Sequence, residues 1–175
     1  MGKPDFILDT TNLAKYICYK YFKHYTKEKR EITPIKLQKS LYFLFAYWGG
    51  FVRKNNTNSN YVEENIDLSE YLFEDTFHAW VYGPVIPKIF KMYKKGELQY
   101  KDIDENDVFA NVSSMVKETI DSLLDELFEI SDFKLVSVSH EDECWKRHFD
   151  ISANEHNEVI PQEEIINEYA LRETV

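Results

Sequence analysis

Glycine and proline are scarce, with five of each, so little of the chain suits a flexible linker between domains. Cysteine occurs twice, at Cys18 and Cys144, which gives no basis for a disulfide framework. No apolar run approaches the roughly 20 residues that a membrane span requires. The N-terminus lacks the basic and apolar regions of a signal peptide. After Met1-Gly2, Phe6 stands where a myristoylation signal needs Ser or Thr. Asn55-Asn56-Thr57 and Asn111-Val112-Ser113 spell glycosylation sequons, but without export they carry no weight. Internal repeats and low-complexity tracts are also missing. These absences predict a single cytoplasmic domain over residues 1–175.

What is present supports a substantial core. Aromatic residues make up 15% of the chain, with 12 Tyr and 12 Phe among its 175 residues. That length suffices to bury roughly two-thirds of the unfolded surface. The net charge of -10 is unevenly spread. Residues 1–54 carry 11 Lys/Arg against 4 Asp/Glu, net +7, and the rest carry 10 against 27, net -17. An acidic total opposes broad nucleic-acid binding, whose affinity rests on neutralising phosphates. The asymmetry suits a protein partner with a charge pattern of its own, although solubility alone also accounts for it.

The chain is organised around Ala79-Trp80-Val81-Tyr82-Gly83-Pro84-Val85-Ile86-Pro87-Lys88-Ile89-Phe90. A β-prone segment here meets a turn at Gly83-Pro84, and Pro87 presets the start of a helix. Before it, Asp9 to Asn12 offer N-cap side chains, and Leu13, Ile17, Tyr21 and Tyr25 predict a helix over about 11–26. Thr33-Pro34 opens a second, central helix on Leu37, Leu41, Leu44 and Trp48, with Gly49-Gly50 as its stop signal and Lys36 and Lys39 off its apolar stripe. Residues 53–60 read as an exposed loop, Tyr71-Leu72-Phe73 as a short helix or an extended segment, and 102–107 as an acidic connection. Ser113 or Ser114, Ser131 and Pro161 each open a later helix. Ser139-His140-Glu141-Asp142 approximates a capping box for another. The expected fold is mainly α: one compact helical domain of six or seven helices with at most a small β-hairpin.

Four blocks of sequence resemble the Panacea domain, the SocA-like antitoxin family that includes phage-associated GepA-like proteins. They are residues 33–43, beginning Thr33-Pro34-Ile35-Lys36-Leu37-Gln38-Lys39; the corner 79–87; Ser139-His140-Glu141-Asp142-Glu143-Cys144-Trp145; and Ile160-Pro161-Gln162-Glu163-Glu164-Ile165. Their order and spacing also fit, and the resemblance covers about residues 9–171. The chain departs from the family pattern at Ser40 (usually apolar), Ser139 (usually Thr) and Cys144 (usually Pro). The resemblance implies a bacterial or phage antitoxin that binds and neutralises a separate toxin protein, with no enzymatic activity and no cofactor.

Two other classes remain beside that reading. One is a nucleic-acid-binding regulator that uses the basic first third. The other is a metal-dependent hydrolase built on His140, Cys144 and His148, which fall at helical spacing. Three ligands from one straight helix are rare, so no metal is expected. Cys144, beside Glu141, Asp142 and Glu143, is poorly placed for a thiolate nucleophile, and Cys18 lies within an aromatic helix. Leu37, Trp80, Gly83, Pro84, Pro87, His140 and Trp145 are assigned to the structural motif. Lys36, Lys39, Tyr82, Val85, Lys88 and Lys91 are the expected partner-binding residues, with Lys36, Lys39, Lys88, Lys91 and Lys95 as one basic patch. The expected partner is a cognate toxin protein, neither membrane nor general nucleic acid, with self-association left open.

Overall fold

The computed structural model describes residues 5–28, 30–57, 68–153 and 156–172. Among them are eight α-helices and five short strands: β1 (Phe6–Leu8), α1 (Thr10–His24), α2 (Pro34–Thr57), β2 (Tyr71–Phe73), β3 (Phe77–Trp80), β4 (Gly83–Val85), α3 (Pro87–Lys94), α4 (Glu105–Val108), α5 (Ser114–Glu129), α6 (Asp132–His140), α7 (Glu143–His148), β5 (Glu158–Ile160) and α8 (Gln162–Ala170). The fold is mainly α, as expected, but the strands exceed one hairpin. β1 pairs in parallel with β2, while β3 lies between β4 and β5 with both pairings antiparallel. The β1–β2 and β3–β5 pairings join segments distant in sequence, which local periodicity does not report. The loop expected at 53–60 is helical as far as Thr57, and 58–60 lie outside the described residues.

α2 is the hub. Leu37, Leu41, Leu44 and Trp48 are buried as their spacing predicts, but so are Tyr42, Phe43, Phe45 and Ala46. α1, α3, α5, α6, α8, β2 and β4 all pack on α2. A helix enclosed on most sides buries even polar side chains along its first half, Lys36, Gln38, Lys39 and Ser40 among them. Thr33 caps it through Oγ1, which accepts from the Lys36 amide at 3.1 Å.

Gly49-Gly50 does not end this helix. The pair sits where α8 crosses it. A Cβ on Gly49 would lie 2.6 Å from Ile166 Cγ1, and one on Gly50 would lie 2.8 Å from the Tyr169 carbonyl carbon. The glycines therefore set how closely the two helices approach. Their sequence signal is the same for a stop and for a close crossing.

Other helix starts follow the reading. Asp9 accepts from the Asn12 amide, and Ser113 and Ser131 cap α5 and α6. Pro87 opens α3, which closes at Gly96 with φ +69°. The acidic connection 102–107 contains the single turn of α4. Ser139 is not a cap: it lies inside α6, and its hydroxyl donates to the Val136 carbonyl.

Gly50→Ala sets two effects against each other. Removing a mid-helix glycine stabilises by about 0.5–1 kcal/mol, whereas forcing a methyl against backbone in a packed interior costs about 1–3 kcal/mol. The clash is with backbone, which does not swing aside, so a net loss of about 1–2 kcal/mol is expected in the unfolding free energy from urea melts. Equal or higher stability of Gly50→Ala would contradict the crossing.

Candidate functional site

The corner between β3 and α3 is held at four points by side chains from elsewhere in the fold. The Trp145 indole donates to the Trp80 carbonyl at 2.9 Å. His140 Nε2 donates to the Val81 carbonyl at 2.9 Å, which fixes its tautomer. Lys39 Nζ donates to the Pro84 carbonyl at 2.9 Å. Gln38 grips Ile86 twice: Oε1 accepts from its amide at 2.9 Å, and Nε2 donates to its carbonyl at 3.2 Å. Gly83, at φ +102°, makes the bend possible, and it also has no room for a side chain. A Cβ there would meet Lys39 Cε at 2.8 Å and the Ser139 hydroxyl.

Held in this way, the corner and α2 enclose an open groove of about 460 Å³. α2 contributes Pro34, Ile35, Gln38 and Lys39; the corner contributes Trp80, Val81, Tyr82 and Val85; Phe90 of α3 and His156 complete the wall. Tyr82 is 60% exposed and Val81 48% exposed, so the rim offers apolar surface to solvent. Trp80 and Phe90 meet edge to face with centroids 5.1 Å apart, and Trp80 Nε1 donates to Asn157 Oδ1. A ring stack runs from His140 through Trp145 and Phe149 to His156, with successive centroids 4.1, 4.6 and 4.8 Å apart. It supports the groove from the α6–α7 side.

The expected partner-binding residues divide sharply. Tyr82, Val85 and Lys39 line the groove, although Val85 and Lys39 are buried. Lys36 is buried and faces the other way. Its ammonium is hydrogen-bonded to the carbonyls of Leu127, Phe128 and Ile130 and lies 3.6 Å from Asp132. It thereby caps the C-terminal carbonyls of α5. Burial lowers its pKa against the opposing pull of Asp132. Lys88 pairs with Asp75 at 2.8 Å, and Lys91 is exposed on α3. The single basic patch is therefore corrected: Lys36 and Lys39 are buried because α5 and β4 pack on the parts of α2 that carry them.

Lys39 is 1% exposed, and its side chain takes part in no ion pair among the described residues. Desolvation lowers its pKa to about 7. Its neighbour His140 also titrates low, through burial, partly opposed by its bond to Val81, and then through the Lys39 charge.

His140, Cys144 and His148 are not gathered into one site. His140 ends α6, and Cys144 and His148 belong to α7. Cys144 is buried 3.4 Å from the Tyr42 hydroxyl, and burial pushes its thiol up to about 12. Asp142, Cys144 and Glu168 do bring possible ligand atoms within 4.8 Å of one another. Each of the two carboxylates already accepts three hydrogen bonds, however. Asp142 accepts from the Tyr42 and Tyr169 hydroxyls and, at 2.6 Å, from Arg172. Glu168 accepts from the amides of Glu143 and Cys144 and from Arg172. This buried cluster joins α2, α7 and α8. Sequence reasoning misses it, because Asp142 there reads as the last member of a capping box.

Residues 61–146 match the family model described as "Antitoxin SocA-like, Panacea domain". No curated protein and no solved structure matches the chain.

His148 clips α7 to both β5 and α8, at 2.6 Å from Glu158 and 2.5 Å from Glu164. Burial pulls its pKa down, but the two carboxylates outweigh it and the net shift is upward. A raised folded-state pKa adds stability that is complete below the unfolded value of about 6.5 and is lost as pH rises through the folded value. The stability difference between the protein and His148→Gln should therefore shrink as urea melts move from pH 6 to pH 8. A constant difference would contradict the clip.

Proposed function

We propose that the chain, whose residues 61–146 match the SocA-like Panacea model, is an antitoxin that neutralises a cognate toxin by direct protein–protein binding. The family match carries this reading. The groove between α2 and the corner supports it physically. It is preformed, its shape is held by hydrogen bonds to consecutive parts of one backbone segment, and it displays apolar side chains at its rim. A preformed surface avoids much of the ordering cost of association.

The proposed mechanism is occlusion. The toxin's functional surface seats on the groove and the corner, with Tyr82 and Val81 as exposed anchors and Val85 and Phe90 as the wall they back onto. A few such anchors carry most of the affinity at an interface, and charges set rate and register. On this reading the chain acts in the cytoplasm of a bacterial cell, in a toxin–antitoxin system of bacterial or phage origin, and performs no catalysis.

Co-expression with the product of the adjoining open reading frame tests the proposal. The neighbour alone should arrest growth, the pair should restore it, and the two proteins should co-purify. Tyr82→Ala, a change at a well-exposed position, should weaken the complex by about 1–2 kcal/mol without lowering the monomer's thermal midpoint. A toxic neighbour that neither binds the chain nor is relieved by it would overturn the proposal.

A further inference from the structure

Lys36 and Lys39 stand one helical turn apart on α2, and both are buried. The fold satisfies Lys36 with three carbonyls and a carboxylate. It gives Lys39 one carbonyl, that of Pro84, and no carboxylate partner among the described residues. An ammonium has three donors, and a buried cation without a counter-charge is costly. Lys39 is also the one Lys or Arg among the residues lining the groove. The amine with donors to spare therefore belongs to a residue of the groove's wall.

The surrounding charge points the same way. The chain has 31 Asp and Glu, yet none falls within α2, residues 34–57, and none within 76–96, which spans the corner and α3. Those two stretches instead carry Lys36, Lys39, Arg53 and Lys54, and Lys88, Lys91, Lys94 and Lys95. Lys94 sits over the ring of Phe90, itself part of the groove wall, at 5.3 Å. In a chain of net charge -10, the two segments that build the groove are free of negative charge. A groove of about 460 Å³ lies toward the small end of ligand sites, which span about 300–1,000 Å³. It has room for one or two side chains.

We infer that the groove receives an apolar segment of a partner polypeptide bearing one carboxylate, and that this carboxylate docks on Lys39. The inference rests on the antitoxin reading and specifies the chemistry of the toxin's anchor. In the free chain, loss of the proton lets Lys39 remain buried with a single acceptor. An arriving carboxylate restores the charged form and takes up the donors left over, in a low-dielectric setting where a charge-assisted hydrogen bond is strong. The apolar rim at Val81 and Tyr82 holds the flanking side chains.

The test uses the full-length chain and a random heptapeptide display library, with bound peptides checked for displacement by the Tyr82→Ala change. Selected peptides should share an Asp or Glu flanked by aliphatic or aromatic residues. Replacing that acid by its amide should weaken binding at least tenfold, and Lys39→Met should abolish the preference for acid over amide. Met fills the same space without a buried charge but leaves the Pro84 carbonyl without its donor, so retained affinity of Lys39→Met for the amide peptide shows that the corner is still in place. Lys39→Arg, which keeps the charge, serves as the second variant and should retain the preference. Groove-binding peptides without a shared acid, or an acid preference unchanged in Lys39→Met, would overturn the inference. So would failure to select any peptide while 4-phenylbutyrate binds and 4-phenylbutan-1-ol does not, since that marks a small-molecule carboxylate site. A toxin complex whose affinity ignores Lys39→Met would sink this inference and leave the antitoxin reading standing. Acid-bearing peptides in the groove with no toxin neutralised would do the reverse.

Discussion

Two adjacent side chains of one helix, Gln38 and Lys39, hold the backbone on which the site depends. Gln38 commits both ends of its amide to Ile86, and Lys39 extends its full length to the Pro84 carbonyl. Between them they fix the bend that Gly83 permits. A turn of this kind has several backbone polar groups that no strand or helix ladder satisfies, and buried groups of that kind need partners. Here the partners come from α2 on one side and from α6 and α7 on the other. The corner is therefore a rigid part of the core at its base and an exposed apolar rim at its tip.

The same logic explains why α2 must be buried nearly all round. A side chain reaches a carbonyl on β4 only if β4 packs against the helix, and Lys36 reaches the end of α5 only if α5 does. The polar residues of α2 thus act as brackets between elements. α8 closes the remaining side through Gly49 and Gly50, and the Asp142 cluster ties that closure back to Tyr42 on α2. The helix that carries the groove's floor is consequently immobilised from several directions, which suits a surface that binds without rearrangement.

Much of this architecture is legible in the amino-acid sequence, and the parts that are not share a cause. Helix starts are readable because a cap is a local event: Thr33, Ser113, Ser131 and Pro87 act within one turn of themselves. Three of the four resemblance blocks come together in the fold, since Gln38, Lys39, His140 and Trp145 all converge on the 79–87 corner. The misreadings fall where the outcome depends on what lies across from a residue. Lysines off an apolar stripe read as solvated unless another element covers them. A Gly-Gly pair reads as a stop unless a second helix needs the space. Asp142 reads as part of a cap unless two tyrosines and an arginine await it. β1 and β5 leave no local signal because each pairs with a strand far away in sequence.

The central claim is that the chain meets its partner at the groove and corner rather than elsewhere. Hydroxyl-radical footprinting of the chain, alone and in complex with the co-purified product of the adjoining gene, tests it directly. Tyr82 and Phe133 are both well exposed in the free chain, at 60% and 74%, and lie on different elements. The account predicts that complex formation suppresses oxidation at Tyr82 while Phe133 stays reactive. Protection of Phe133 with Tyr82 unchanged would contradict it.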